Sequence, residues 1–260
     1  MGKQQQVAMS ENTVAVYNER GSHQIVLVCE HASAYMPPEY EQLGLTDDIA
    51  CSHIAWDPGA LVTARYLADR LNAVLVAGTV SRLIYDLNRP PESAGAMIEH
   101  SEKYRVPGNI NLNAAQRQAR IDNYYRPFVS CVASVLQHQP SAVLVTVHSF
   151  TPVYNDIARD VEIGVLHDAD TRLADAMLAD TSTVGGYNIQ RNQPYAAQDG
   201  VTHTLQLHGV STQIPNVMLE VRNDLIVDDS TCSSMAEHLS HWLSNALLRL
   251  NPATPAQVRS

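Results

Sequence analysis

The segment QIVLVCEH, residues 24–31, decides how the rest of the chain is read. Five of its first six residues are apolar or β-branched, the composition of a strand buried on both faces. It stops at two ionisable residues, Glu30 and His31. In open α/β sheets, ligands bind beyond the carboxyl ends of the strands, where loops gather chemical groups. A single histidine there is as readily structural as functional. The segment AVLVTV, residues 142–147, ends the same way, in His148 and Ser149. Two buried strands that both end in histidine point to one shared site.

Further strands are expected at 73–76, 80–85, 161–166, 187–190 and 217–221. Between them, Asp57-Pro58 opens a helix, with the acid as N-cap, proline at the first helical position and Leu61, Ala64, Leu67, Ala68 and Leu71 at helical spacing. Other helices are expected over 113–137, with a break near Pro127, and over 169–179 and 230–250. Residues 92–111 read as an irregular excursion. Alternating strands and helices predict an α/β fold, a single domain with a mixed, mainly parallel sheet flanked by helices. The domain is expected over 23–250, with a polar arm or edge element at 1–22 and a disordered tail at 251–260.

The formal charge of −10 argues against a nucleic-acid partner, which needs a basic surface. No apolar run approaches the roughly 20 residues that span a bilayer, and the first residues carry no signal-peptide hydrophobic region. The expected location is the cytosol. Four cysteines without a Cys-x-x-Cys pair predict no disulfides.

The chain has no nucleophile elbow, phosphate loop, dinucleotide fingerprint or HExxH pair. What remains is a set of polar residues at strand ends and at one helix start: His31, Asp57, Arg82, Asn88, Arg89, His148 and Glu220. His31, Asp57 and His148 have the composition of a catalytic zinc centre with one open position. Asp57 is equally explained as a helix cap, and Glu30 is a rival ligand, although strand alternation points it away from His31. Arg82, Asn88 and Arg89 suit carboxylate recognition, unless Asp86 and Arg89 merely pair at the surface. Glu220 ends an apolar strand, as a functional carboxylate or as a partner of Arg222.

The motifs CEHAS (29–33), WDPGA (56–60), SRLIYDLNRP (81–90), VTVHSFTP (145–152), EIGVLHD (162–168), NQPY (192–195) with THTLQLHG (202–209), and LEVRNDLI (219–226) run in this order through the chain. Together they resemble the N-formylglutamate amidohydrolase family over roughly 24–250. That family is similar in architecture to zinc carboxypeptidases and aspartoacylase, so the resemblance implies a zinc-carboxypeptidase-like, phosphorylase/hydrolase-like fold. It implies one zinc ion per chain on His31, Asp57 and His148, a carbonyl-polarising Arg82, an Asn88–Arg89 carboxylate clamp and Glu220 as base. In those relatives the second ligand is a glutamate three residues after the first histidine. Here Ala34 stands in that place, and Asp57 is the expected substitute.

The implied reaction is metal-assisted hydrolysis of an N-formyl amino acid, foremost N-formyl-L-glutamate to formate and glutamate. A second substrate carboxylate needs its own cation, for which the sequence offers Arg222 or Arg191. His203 and His208 line the entrance or face solvent, with solvent favoured for at least one, and His167 is a spare ligand. The rival readings are a zinc hydrolase of another N-acyl amino acid and a metal-free carboxylate-binding protein of the same fold.

Overall fold

A computed structural model describes residues 13–250, so the expected tail and most of the expected arm lie outside the described residues. Seven strands form one sheet: β1 (Val14–Tyr17), β2 (Ile25–Cys29), β3 (Val74–Gly78), β4 (Val143–Phe150), β5 (Ile163–Leu166), β6 (Ile189–Arg191) and β7 (Asn216–Arg222). Their spatial order is β1-β3-β2-β4-β7-β5-β6. Four of the neighbouring pairs are parallel, and β1 with β3 and β7 with β5 are antiparallel. The mainly parallel α/β architecture is therefore present. β1, within the expected arm, is an edge strand.

β2 and β4 are buried along their whole length, as their Val/Ile/Leu runs require when both sheet faces are covered. One face packs against α1 (Ala60–Leu71), α4 (Arg172–Leu178) and the long α5 (Asp229–Leu250). Trp242 Nε1 on α5 donates to Met177 O of α4 at 2.8 Å and ties two of these helices together. The other face lies under α3 (Arg126–His138) and the chain from Val80 to Val106. α3 continues α2 (Ala114–Arg120) through one π turn, Ile121–Tyr125. That wide turn sits where the Pro127 ring would meet the carbonyl of Asn123, so the expected break takes this form.

Two expectations change. Residues 80–85 form no strand. Ser81 Oγ donates to Ala55 O at 2.9 Å and accepts from Leu83 N at 3.1 Å, bending the chain into turns. The run is apolar because Leu83, Ile84 and Tyr85 are buried, not because it is extended. The first helix begins at Ala60 rather than at Asp57-Pro58, with Gly59 as N-cap in the left-handed region at φ 81°. A side chain at Gly59 would also meet Ile226 O. The turn at Gly59 frees Asp57 from capping the helix.

β2, β4 and β7 are neighbours and parallel, so their carboxyl ends reach the same edge. Register sets Glu220 directly beside His148. Strand alternation puts Glu30, His148 and Glu220 on the face covered by the 80–106 chain.

Candidate active site

His31 follows the end of β2, and His148 and Glu220 lie near the ends of β4 and β7. Asp57 arrives on the turn before α1, held by its own N–H donating to His31 O at 2.9 Å. Its Oδ2 lies 3.3 Å from His31 Nδ1 and 2.9 Å from His148 Nδ1. All three residues are buried. The carboxylate and the two imidazoles offer three ligand atoms within 4.8 Å of one another, and this group could hold a metal ion.

The far nitrogen of each imidazole faces another buried carboxylate. His31 Nε2 is 2.7 Å from Asp86 Oδ1. His148 Nε2 is 3.0 Å from Glu30 Oε2, an ion-pair distance away from the hydrogen-bond line. Metal-ligating histidines are ordinarily backed in this way, which fixes ring orientation and raises basicity. Glu30 thus stands behind His148, on the side away from Asp57.

Arg82 joins the cluster from the cavity side, with Nη2 at 2.6 Å from Asp86 Oδ2 and Nη1 at 3.6 Å from Asp57 Oδ1. Four buried carboxylates (Glu30, Asp57, Asp86 and Glu220) therefore face one guanidinium and two imidazoles. Burial would lower both imidazoles, but the carboxylates raise His31 and hold His148 well above its ordinary value, so protons sit where a dication would otherwise balance the set. The donor set fits a divalent metal: borderline nitrogens, one carboxylate and carboxylate backing.

Burial would raise the Asp57 carboxyl, but the two histidines outweigh it and keep the group well below the usual range. Glu220 behaves in the opposite way. Burial pushes it up to about 7, with His148 opposing and the charge of Asp57 adding to the rise. Its Oε2 is buried and has no hydrogen-bond partner among the described residues. A carboxyl poised near neutrality at a cavity edge suits proton transfer.

A cavity of about 580 Å³ opens on this cluster, lined by His31, Asp57, Arg82, His148 and Glu220 among others. Arg89 lines it too, with Nη1 donating to Asp199 O at 2.8 Å. Asn88 also reaches the cavity, with its amide partly engaged: Nδ2 donates to Val201 O, and Oδ1 accepts from Thr204 N at 2.9 Å. It fastens the 201–204 segment with one of its two Nδ2 hydrogens and leaves the other for a further acceptor.

Arg222 is not brought to the cavity. It pairs with Asp224 at 2.8 Å and Glu162 at 3.4 Å, and so does not partner Glu220 either. Arg191 is held by Asp175 at 2.6 Å, next to His167, outside the cavity lining. His208 is buried, and half-buried His203 meets Tyr125 Oη at 2.8 Å, so neither is a solvent-facing histidine.

Beyond the expected site residues, the cavity gathers Asp86, Arg159 and Tyr195. Asp86 read as a surface partner of Arg89; its buried place between His31 and Arg82 follows only from the turns at Ser81. Arg159 and Tyr195 reach the cavity through loops without periodicity. The NQPY motif was the one available sign of Tyr195.

A sequence model described as FGase: N-formylglutamate amidohydrolase matches residues 23–227. Among curated protein sequences none matches the chain. Gene product Atu2144 from Agrobacterium tumefaciens, known from a crystal structure, is 46% identical, with a TM-score of 0.90 over 92% of this chain and 96% of that one. The crystal structure of N-formylglutamate amidohydrolase from Ralstonia eutropha JMP134 is similar at a TM-score of 0.61 and 17% identity, over 93% of this chain and 99% of that one. The second likeness is one of fold alone.

Proposed function

Because the chain belongs to the N-formylglutamate amidohydrolase family and is a hydrolase of amide bonds, we propose that it converts N-formyl-L-glutamate to formate and L-glutamate, with zinc held by His31, Asp57 and His148. The observation that carries this reading is the meeting of these three side chains, from three separate segments, within 4.8 Å at the floor of one cavity. When bound there, zinc supplies Lewis acidity that polarises a carbonyl and acidifies water.

The remaining work falls to the chain's own residues. Glu220 takes a proton from the attacking water as the new C–O bond forms. It then returns that proton to the amine nitrogen as the C–N bond breaks, leaving formate and the free amino acid. Arg82, with N–H groups not engaged by Asp86, stabilises the oxygen on which negative charge grows. Arg89 holds the α-carboxylate of the substrate and so fixes the amide near His31 and His148. Asn88 keeps the cavity wall in place through Val201 and Thr204.

Acyl-group profiling tests the reading. Zinc-loaded protein is given glutamate bearing N-formyl, N-acetyl and N-propionyl groups, and release of glutamate is followed. Formyl should be preferred by at least tenfold in kcat/KM. Equal or better turnover of the larger acyl groups would assign the cavity to another N-acyl amino acid.

A further inference from the structure

The cavity holds a third guanidinium, beside those of Arg82 and Arg89, that the proposed reaction leaves unused. Arg159 follows the small hairpin Val153–Tyr154 and Ile157–Ala158, and it lines the cavity. Three rings surround it: Tyr154 at 4.6 Å, Tyr195 at 4.8 Å and Phe150 at 5.6 Å from the guanidinium carbon to the ring centres. Its Nη1 also reaches Thr151 O at 3.4 Å. Aromatic faces hold a guanidinium plane by cation–π attraction while leaving its N–H edge for an acceptor.

Other arginines near the sheet edge are neutralised. Arg82 pairs with Asp86, Arg222 with Asp224 and Arg191 with Asp175. Among the described residues, Arg159 and Arg89 have no carboxylate at ion-pair distance, and both line the same cavity. Two unneutralised guanidinium groups in one cavity match a ligand with two carboxylates. Tyr195 links Arg159 to the reacting centre: Arg159 lies over its ring, and the charges of Glu220 and Arg82 act on its hydroxyl.

We infer that Arg159 binds the side-chain carboxylate of the substrate, with Arg89 on the α-carboxylate, so that the cavity selects N-acyl amino acids with acidic side chains. This assignment rests on the amide hydrolysis proposed above. It replaces Arg222 and Arg191, which are spent on other partners.

The test compares N-formyl-L-glutamate with N-formyl-L-norvaline, a neutral substrate of similar reach, in the parent, Arg159→Met and Arg159→Lys. The readout is the ratio of the two kcat/KM values. A hydrogen-bonded charge pair is worth roughly 10- to 100-fold in binding. Arg159→Met should lower the ratio by that factor, through KM for formylglutamate, and Arg159→Lys should restore part of it. An unchanged ratio in Arg159→Met, or an equal fall for both substrates, overturns the assignment.

Binding gives a readout independent of turnover. Calorimetry with glutarate and butyrate should show glutarate binding the parent more tightly, and Arg159→Met losing that difference. Should the parent release formate from neither substrate, the proposed reaction fails, and glutarate then decides on Arg159 alone. Equal glutarate affinity in parent and folded Arg159→Met, checked by circular dichroism, rejects the subsite.

Discussion

Asp57 Oδ2 and His148 Nδ1 meet at 2.9 Å in the protein interior, although 91 residues of sequence separate the two side chains. The carboxylate is shared between two imidazoles and also meets Ser149 N at 3.4 Å and Arg82 Nη1 at 3.6 Å. One carboxylate and two imidazoles are an ordinary metal ligand set.

Asp57→Asn separates ligation from local structure. Gly59, not Asp57, is the N-cap of α1, so the helix does not depend on the carboxylate. The variant should keep its far-ultraviolet circular dichroism and lose zinc affinity by at least roughly 100-fold, since a neutral amide is a poor replacement for an anionic ligand. Chelator competition measures this. Unchanged zinc affinity would return Asp57 to a purely structural part.

Asp86→Asn probes the support behind His31. Loss of such a backing partner typically weakens metal binding by about 10- to 100-fold. The same competition experiment should place Asp86→Asn between the parent and Asp57→Asn. If zinc is held as tightly as before, Asp86 serves to hold Arg82 and the Asn88 N–H rather than the metal site.

Glu220→Gln keeps the shape and removes the proton acceptor. We expect kcat to fall by about 10²–10⁴-fold with zinc content unchanged. Stability of the metal-free protein should move the other way. The buried carboxyl titrates at about 7 against an ordinary 4.5. Between those values the folded chain holds a proton that the unfolded chain has released, so stability falls as pH rises from 4.5 to 7. The variant lacks that penalty and should gain on the order of 1–3 kcal/mol over the parent at pH 8, and little at pH 4.5. Urea unfolding at the two pH values checks it; an equal difference at both would contradict the placement of Glu220.

His208 supplies a pH effect of opposite sign. Burial lowers its imidazole from 6.5 to about 4. In that interval the unfolded chain binds the extra proton, so the contribution is complete above pH 6.5 and lost as pH falls toward 4. His208→Gln should flatten the decline between pH 7 and 4.5 by up to about 2 kcal/mol. An unaltered slope would show that His208 does not titrate in this range.

The two histidine-ended strands were legible because burial on both faces demands continuous apolar runs, and their abrupt polar ends stand out against them. The reading failed where burial and extension part company: residues 80–85 are apolar because they are covered, while Ser81 turns the backbone. Asp57-Pro58 imitates a helix start, and the left-handed Gly59 that displaces the cap is a matter of conformation, not composition. The contacts of Asn88 with Val201 and Thr204 were not legible, since nothing near it in sequence announces these partners. Arg159 was out of reach of pattern reading, because the hairpin before it, not periodicity, carries it to the cavity.

Under the proposed function, one metal ion held by His31, Asp57 and His148 makes this chain a formate-releasing hydrolase. Titrating chelator-treated protein with zinc while following formate from N-formyl-L-glutamate tests it most directly. The rate should rise linearly to one equivalent per chain and then level off, with formate and glutamate appearing in equal amounts. Full turnover in the chelated protein, or no formate from protein carrying one tightly bound zinc, would rule out a zinc-dependent formate release at this site.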